Sequence, residues 1–355
     1  MSTTNPDAPV PPSGDPAGLD RQRVSAWLSD NIDGAVEPFR FDLIAGGRSN
    51  LTFLVTGSDD SRFVLRRPPL GHVLATAHDM AREHRVITAV GKTNVPVPPT
   101  LGLCTDDAVN GAPFYVMGYV DGVVLDSIER AEQLPGPMRQ QAAEHLIDVL
   151  ADLHAVDIDA VGLGDFAKRT GYIERQVKRW SSQWDNSKTR DLPAIDEVAT
   201  RLRQRIPEQH DVSIAHGDYR FGNCLTNVQQ GRIAGVLDWE LCTLGDPLAD
   251  VGYLGVYWFD GNPANIRAND PTSAGGFPSY DDLLQRYSLR TGRDLSGIDY
   301  YIAFACWRLA VISEGVYARY LHGAMGDNDL DLTALKQGTE DLATSALESL
   351  KGVTQ

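Results

Sequence analysis

Residues 213–225 read SIAHGDYRFGNCL, and this stretch is the most informative in the chain. A short β-type run is followed by His216, Asp218 and Asn223 in the pattern H-x-D-x-x-x-x-N. An aspartate placed there can accept a hydrogen bond from a hydroxyl group and orient it, while an asparagine offers a neutral oxygen to a metal ion. The imidazole of His216 is expected to tie the loop backbone together. The pattern therefore predicts a loop that positions a hydroxyl group beside a metal ion.

The interval between His216 and Asn223 is that of a kinase catalytic loop. Downstream, residues 235–240 read GVLDWE, a β-type run ending at Asp238. The interval of 238 − 223 = 15 residues leaves room for a hairpin through residues 227–231 that returns Asp238 beside Asn223. Phosphoryl transfer depends on positioning and charge neutralisation. We expect Asp218 to orient the acceptor and Asn223 and Asp238 to hold Mg²⁺.

A second group of candidate residues precedes this loop. Arg66 ends a predicted strand, and Glu83 lies in the predicted helix that follows. Their order matches the strand lysine and helix glutamate of kinases, with arginine as the cation that reaches nucleotide phosphates. Arg67 is the alternative cation, but alternation along a strand sends the two side chains to opposite faces. The turn at residues 46–50 is expected to donate backbone N–H groups to phosphate.

Hydrophobic periodicity divides the chain into three parts. Residues 1–18 are rich in Pro, Gly, Ser and Asp and are expected to form a disordered tail. Residues 19–119 predict a small antiparallel sheet with one helix inserted after its third strand, and residues 120–355 are mainly helical. We therefore expect an α+β fold with two lobes, like that of protein kinases. The Gly- and Pro-rich segment 258–280 is expected to be a long loop.

Composition excludes several other classes. The 355 residues carry a formal net charge of −16, which argues against a nucleic-acid partner. The four cysteines form no C-x-x-C pair, so neither a zinc nor a redox motif is indicated. No apolar run reaches the roughly 18 residues that span a bilayer, and the N-terminus lacks the pattern of a secretion signal. A cytoplasmic protein without membrane contact is the expectation.

The chain resembles the aminoglycoside phosphotransferase and choline kinase-like superfamily over about residues 24–325. The resemblance rests on HGD with Asn223, on LDWE at 237–240 and on GDPLADVG at 245–252. It implies a kinase-like fold with ATP between the lobes, and Mg²⁺ as cofactor. It also implies nucleotide contacts from residues spread over the first lobe: Gly47, Ser49, Asn50, Arg66, Glu83, Met117 and Tyr119.

Within the superfamily, the chain looks most similar to the kinase domains fused to some acyl-CoA dehydrogenases. This rests on FVLRRPP at 63–69, WRL at 307–309 and EGVY at 314–317. Arg308 and Glu314 are charged residues in a helix predicted to be buried, so each needs a partner or lines an acceptor site. His154, on an apolar helix face, is expected to be a hydrogen-bonded core residue.

The sequence does not identify the substrate, and three other functions have to be compared with phosphoryl transfer to a small molecule. The acceptor is a hydroxyacyl thioester or hydroxy acid, as the branch suggests, or an aminoglycoside-like aminoalcohol. A nucleotide-binding regulator without catalysis is the main alternative, although the set Asp218, Asn223 and Asp238 is complete. A metallohydrolase would use His216, Asp218 and Asp238 as ligands. A protein kinase is disfavoured because only a few residues separate Asp238 from Asp246.

Overall fold

The computed structural model describes residues 16–45, 50–70, 78–259, 270–321 and 331–352. Most of the expected N-terminal tail, at 1–15, lies outside these ranges. The chain divides into two compact units, one of residues 1–85 and 99–119 and the other of residues 86–98 and 120–355. The expected first lobe, residues 19–119, differs from the first unit in segment 86–98. Segment 86–98 belongs to the second unit, where the N–H of Val236 donates to the carbonyl of Pro96 at 2.8 Å.

The first unit is built on a five-stranded antiparallel sheet, as the sequence predicts. Its strands are β1 (Arg40–Ala45), β2 (Leu51–Thr56), β3 (Arg62–Arg67), β4 (Thr100–Cys104) and β5 (Phe114–Gly118), in the order β1-β2-β3-β5-β4. The helices in this part of the chain are α1 (Arg21–Asn31), α2 (Met80–Val90) and α3 (Asp107–Asn110). Helix α2 follows the third strand, and α3 is a short helix that the sequence did not indicate.

One face of this sheet holds the core of the first unit. Phe53, Phe63 and Leu65 are buried there against Val24 and Leu28 of α1. Alternation along β3 follows from this core, because fixing Phe63 and Leu65 on one face sends the residues between them to the other. The core residues of β3 therefore determine its register, and this register sends Arg66 and Arg67 to opposite faces of the sheet.

The second unit is mainly helical, with two small sheets. Its helices are α4 (Ile128–Glu132), α5 (Gly136–His154), α6 (Tyr172–Ser187), α7 (Pro193–Gln204), α8 (Leu248–Val256), α9 (Tyr280–Thr291), α10 (Ile298–Leu321) and α11 (Leu332–Ser349). Its strands are β6 (Val123–Val124), β7 (Ser213–Ala215), β8 (Cys224–Asn227), β9 (Arg232–Val236) and β10 (Thr243–Gly245). They form a three-stranded sheet, β6-β8-β9, and a pair, β10-β7. No helix within the described ranges is long and apolar enough to cross a membrane.

The predicted hairpin between the two metal-ligand candidates is present. Strands β8 and β9 pair in antiparallel fashion from Cys224 opposite Val236 to Asn227 opposite Arg232. The Asn227 side chain closes the turn by accepting from the N–H groups of Gln229 and Gln230, both at 3.1 Å. An asparagine that satisfies the backbone in this way favours a tight turn.

Two features near the C-terminal half differ from the sequence expectation. Helix α9 was not predicted, because only Leu283 and Tyr287 of its residues are buried and its apolar periodicity is weak. Its start carries a usable signal, a capping box between Ser279 and Asp282. The segment expected as one loop is described only at its ends, since residues 260–269 lie outside the described ranges. At those ends, Trp258 donates from Nε1 to the carbonyl of Pro278 at 2.9 Å.

Candidate active site

The H-G-D stretch lies in a loop that leaves strand β7. Strand β7 pairs with β10, and the loop then runs through a 3₁₀ turn, Phe221–Asn223, into β8. Gly217 has a φ of 85°, and a Cβ there would lie 2.9 Å from the carbonyl oxygen of Leu241. A side chain is therefore excluded by conformation and by space. The glycine allows the chain to turn sharply between His216 and Asp218.

A buried carboxylate, Asp250 of α8, holds the backbone of this turn. Its two oxygens accept from the N–H groups of His216, at 2.6 Å, and Gly217, at 2.8 Å. His154 of α5 lies beside it, with Nε2 at 3.3 Å from Asp250 and Nδ1 at 2.7 Å from the hydroxyl of Tyr287. Burial by itself raises the pKa of Asp250. The hydrogen bond and charge of His154, together with the hydrogen bond from the loop amide, outweigh the effect of burial, so the pKa of Asp250 is lowered overall. His154 is the hydrogen-bonded core residue that the sequence predicts.

Both ring nitrogens of His216 are used inside the loop. Nε2 lies 2.9 Å from the carbonyl oxygen of Leu237, and Nδ1 accepts from the N–H of Asp218 at 3.3 Å. The ring also packs against Trp239, with centroids 4.8 Å apart. His216 therefore supports the loop, and its nitrogens are directed to backbone groups. The metallohydrolase alternative needed one of them as a metal ligand.

The carboxylate of Asp218 is surrounded by three donors. Asn223 donates from Nδ2 to Oδ2 at 2.6 Å and to the Asp218 carbonyl at 2.7 Å. The Nε of Arg220 lies 3.4 Å from Oδ1, and the hydroxyl of Tyr253, which lies 3.3 Å from that of Tyr257, is a near neighbour of this carboxylate. Burial, with Asp218 as neighbour, raises the pKa of Tyr253 well above its ordinary value, so the phenol stays a donor. Asp218 is thus held ready to accept a further hydrogen bond.

Asp238 is brought next to this group by the hairpin. The N–H of Leu237 donates to the carbonyl of Asn223 at 2.8 Å, which fixes the ends of β8 and β9 together. Asp238 itself has φ 63° and ψ 64°, a left-handed conformation that is uncommon outside glycine. Such backbone strain is concentrated at functional positions. Here it turns the chain sharply at the residue whose carboxylate the sequence assigns to metal.

The donor set suits Mg²⁺ rather than zinc. Asn223 uses its amide nitrogen on Asp218, which leaves the amide oxygen as a neutral ligand, and Asp238 supplies one carboxylate. Across the described residues, no three His, Cys, Asp or Glu side chains are grouped to hold a metal. Magnesium is commonly bound through one or two protein oxygens, with phosphate and water completing its shell. These two residues therefore fit Mg²⁺ that arrives with a nucleotide.

The two residues considered for an acceptor site lie in different surroundings. Arg308 donates from Nη2 to the carbonyl of Gly217, and its guanidinium lies 4.6 Å from the ring centroid of Tyr253. Glu314 is buried and bonds Thr189, at 2.6 Å, and Arg190, at 3.3 Å. Arg308 contacts the loop that carries Asp218, whereas Glu314 anchors the segment between α6 and α7. The placement of Glu314 does not favour a role in acceptor binding.

The first unit carries its own buried carboxylate, Glu83 of α2. It accepts from Arg66 Nε at 3.0 Å, from Asn50 Nδ2 at 2.9 Å and from the hydroxyl of Tyr115 at 3.1 Å. Arg67 points the other way and donates to the carbonyls of Gly18 and Asn110. Arg66 is therefore the cation that Glu83 holds, and Arg67 joins the turn before α1 to the end of α3.

The remaining nucleotide-binding candidates are spread along this unit. Met117 is buried in β5 opposite Val64 and Thr100, and Tyr119 follows the strand with Arg62 at 4.1 Å from its ring centroid. Gly47 and Ser49 lie outside the described residues. Nucleotide contacts by all of these residues stay predictions.

A family model described as the phosphotransferase enzyme family matches residues 40–283. The chain belongs to this family. The match includes both the Arg66–Glu83 pair and the complete loop from His216 to Asp238.

The chain is also similar to individual known proteins. It is 36% identical to acyl-CoA dehydrogenase family member 10 of Mus musculus over 308 residues, which is 84% of this chain and 28% of that protein. A solved chain from Ralstonia eutropha JMP134, provisionally assigned as an aminoglycoside phosphotransferase, is 32% identical, with a TM-score of 0.80 over 95% of this chain and 100% of its own. An amicoumacin kinase in complex with AMP-PNP, Ca²⁺ and its substrate shares the fold, with a TM-score of 0.58 at 17% identity, over 92% of this chain and 94% of its own.

Sequence reasoning found Asn223 but missed the other two residues beside Asp218. Arg220 stands two positions after Asp218 in the quoted stretch, and its charge on so short a loop was a usable signal. Tyr253 had no such signal, because α8 brings it to the loop from a position 35 residues further along the chain (253 − 218 = 35). The contact is a property of helix packing, which sequence periodicity alone does not locate.

Proposed function

We propose that this chain transfers the γ-phosphoryl group of ATP to the hydroxyl group of a small molecule. The observation that carries the proposal is the contact of Asn223 with Asp218 on one loop, with Asp238 tied to the same loop through Leu237 and Asn223. A hydroxyl-orienting carboxylate and two oxygen ligands for a hard cation are the minimum that phosphoryl transfer needs from a protein. Membership of the phosphotransferase family supports the same chemistry.

In this mechanism, the chain contributes position and charge. Asp218 accepts a hydrogen bond from the acceptor hydroxyl and takes its proton as the oxygen attacks phosphorus. Asn223 and Asp238 would hold Mg²⁺, which neutralises the phosphate oxygens when it is bound. Asp250 and His216 keep the loop backbone fixed, so that little reorganisation is needed during the reaction. Arg66, held by Glu83, is proposed to bind nucleotide phosphates.

The acceptor is proposed by class. Hydroxy acids and hydroxyacyl thioesters are one class, supported by the likeness to a protein whose name includes acyl-CoA dehydrogenase. Aminoglycosides and other aminoalcohols are the second, supported by the structural likeness to the Ralstonia eutropha chain. The two classes differ in charge, so a panel that includes both separates them.

A transfer screen with mass detection of product tests the proposal. Purified protein with Mg²⁺ and ATP is offered hydroxy acids, hydroxyacyl-CoAs, sugars, aminoalcohols and aminoglycosides. Wild type is expected to add one phosphoryl group to members of one class. Asp218→Asn is expected to lose transfer by about 10³-fold or more while still binding Mg-ATP. Full activity of Asp218→Asn would remove Asp218 from its role, and magnesium-dependent ATP binding without any turnover would favour a regulator instead.

A further inference from the structure

The three donors around Asp218 differ in how exposed they are. Asn223 is 7% exposed and Tyr253 is 4% exposed, so both are fixed by the surrounding core. The side chain of Arg220 is 30% exposed, and that of Asp218 is 20% exposed. The Arg220 contact is also the longest, at 3.4 Å, against 2.6 Å for Asn223. Among these donors, Arg220 is the one that an incoming group can displace at least cost.

The guanidinium of Arg220 has a second support that does not depend on Asp218. It lies 4.9 Å from the ring centroid of Tyr257, the residue that follows α8, a cation–π distance. Tyr257 is in turn linked to Tyr253, with hydroxyl oxygens 3.3 Å apart. A guanidinium resting on an aromatic face keeps its position and charge when its carboxylate partner is taken by another group.

Charge balance on the loop changes when a substrate binds. An acceptor hydroxyl that bonds Asp218 competes for the carboxylate that Arg220 neutralises. The reaction brings further negative charge, which spreads over the phosphoryl oxygens in the transition state. A cation released from a carboxylate in a site of reduced dielectric is stabilised by the nearest new anion.

We propose that Arg220 is the exchangeable counter-ion of Asp218, and that it neutralises the phosphoryl group during transfer. The acceptor hydroxyl replaces Arg220 as a hydrogen-bond donor to Asp218. The guanidinium of Arg220, still stacked on the ring of Tyr257, then donates to the phosphoryl oxygens. The hydroxyl oxygen forms the new bond to the γ-phosphorus, and the bond to the β–γ bridging oxygen breaks to release ADP. The hydroxyl proton passes to Asp218 and then to solvent. This inference rests on the proposed function and adds a catalytic residue to it.

Arg220→Met and Arg220→Lys test the role, with Arg169→Met as the matched control. Arg169 forms an ion pair with Asp159 in the segment between α5 and α6, so its substitution removes an arginine–aspartate pair that is not part of the loop. The measurements are kcat and KM with an acceptor from the screen, the affinity for Mg-ADP, and the affinity for Mg-ADP with aluminium fluoride, which imitates the phosphoryl group in transit. The melting temperature shows whether each variant folds.

Arg220→Met is expected to lower kcat by about 10²-fold and to weaken the aluminium fluoride complex by a similar factor. Its affinity for Mg-ADP should stay within about twofold of wild type, because the lost interaction belongs to the transition state. Its KM for the acceptor should be unchanged or lower, because the acceptor hydroxyl no longer has to displace Arg220 from Asp218. Arg220→Lys keeps the charge without the planar fork and should regain about tenfold of kcat. Arg169→Met should match wild type in every assay.

Two results would overturn the role of Arg220. One is an unchanged or increased kcat in Arg220→Met, since the arginine would then only block Asp218. The other is an equal loss of Mg-ADP and aluminium fluoride affinity, which would make it a structural residue. If wild type itself transfers no phosphoryl group, the proposed function fails and this role fails with it. If wild type transfers and Arg220→Met keeps its kcat, this role alone fails.

Discussion

In each of the two units a buried carboxylate holds the candidate site residues, but the two carboxylates accept from different kinds of donor. Glu83 accepts from three side chains, those of Arg66, Asn50 and Tyr115. Asp250 accepts from the backbone N–H groups of two consecutive loop residues and from His154. Side-chain donors keep some freedom of rotation, whereas backbone donors fix the path of the chain.

This difference teaches how each unit is expected to contribute. Glu83 orients the guanidinium of Arg66. We expect this long side chain to keep enough rotational freedom to adjust its position to a ligand. Asp250 fixes the backbone of the loop that carries Asp218, so the position of Asp218 varies little. Breaking Asp250 should therefore damage folding and activity together, and breaking Glu83 should damage ligand binding more than folding.

The largest expected effect is that of Asp250→Ala. It leaves two buried N–H groups and a buried histidine without their partner, which costs about 3–5 kcal/mol. We expect a strongly lowered melting temperature and no detectable phosphoryl transfer. Asp250→Asn, which keeps the shape and one acceptor oxygen, should lie between this variant and wild type. A loop that keeps its activity in Asp250→Ala would show that the carboxylate does not organise it.

The second effect is that of Glu83→Gln on nucleotide binding. The neutral amide holds the Arg66 guanidinium less firmly, and a hydrogen bond to a charged group is worth about 1.5–3 kcal/mol. We expect Mg-ATP affinity, measured by calorimetry, to fall by about tenfold, with a smaller loss of stability than for Asp250→Ala. If Glu83→Gln and Asp250→Ala lost equal amounts of stability, the proposed difference between the two carboxylates would be wrong.

The third test compares the adjacent arginines of β3. Arg66→Met should raise the KM for ATP by about tenfold, because Arg66 is proposed to meet phosphate. Its melting temperature should also fall, because buried Glu83 loses its cation and keeps Asn50 and Tyr115 as donors. Arg67→Met should lower the melting temperature and leave the KM for ATP unchanged, because Arg67 donates to the carbonyls of Gly18 and Asn110, and orphaned buried carbonyls cost about 1–3 kcal/mol. A raised KM for ATP in Arg67→Met, without one in Arg66→Met, would exchange their roles.

The smallest effect is the dependence of stability on pH through His154. Burial lowers the pKa of His154 below its ordinary value near 6.5, and Asp250 opposes this only in part. The unfolded chain therefore binds a proton that the folded chain does not, so stability falls as pH decreases below about 6.5. Melting temperatures from pH 7 to pH 5 should fall less steeply in His154→Gln than in wild type. Parallel slopes would show that His154 does not contribute.

Asp250 acts in a different pH range, which keeps the two groups separate. Its pKa is lowered in the folded protein, so its contribution is complete above its ordinary value near 3.9 and is lost only as pH falls through the lower folded value. The difference in slope between wild type and His154→Gln therefore reports on the pair of His154 and Asp250. His84 and His145, whose pKa values burial also lowers, add to the slope of both proteins, and Asp246, whose pKa burial raises, acts in the opposite direction in both.

The sequence predicted the parts of the molecule that local patterns encode. Alternation along β3 separated Arg66 from Arg67, and the interval from Asn223 to Asp238 predicted the hairpin between them. The contacts of Arg308 with Gly217 and of Tyr253 with Asp218 were not predictable, because helices distant in sequence bring these residues to the loop. Helix packing decides such contacts, and a single sequence holds no local signal for it.

The β8–β9 hairpin also has a practical consequence. Asn223 and Asp238 lie at its open end, and the exposed residues Gln229 and Gln230 lie at its tip. Adding a short epitope tag at the tip extends the hairpin outward and leaves the register at the open end unchanged. A single residue inserted within either strand instead shifts every following side chain to the opposite face. The tip is thus the position at which a reporter group should leave Asn223 and Asp238, the proposed metal-binding residues, undisturbed.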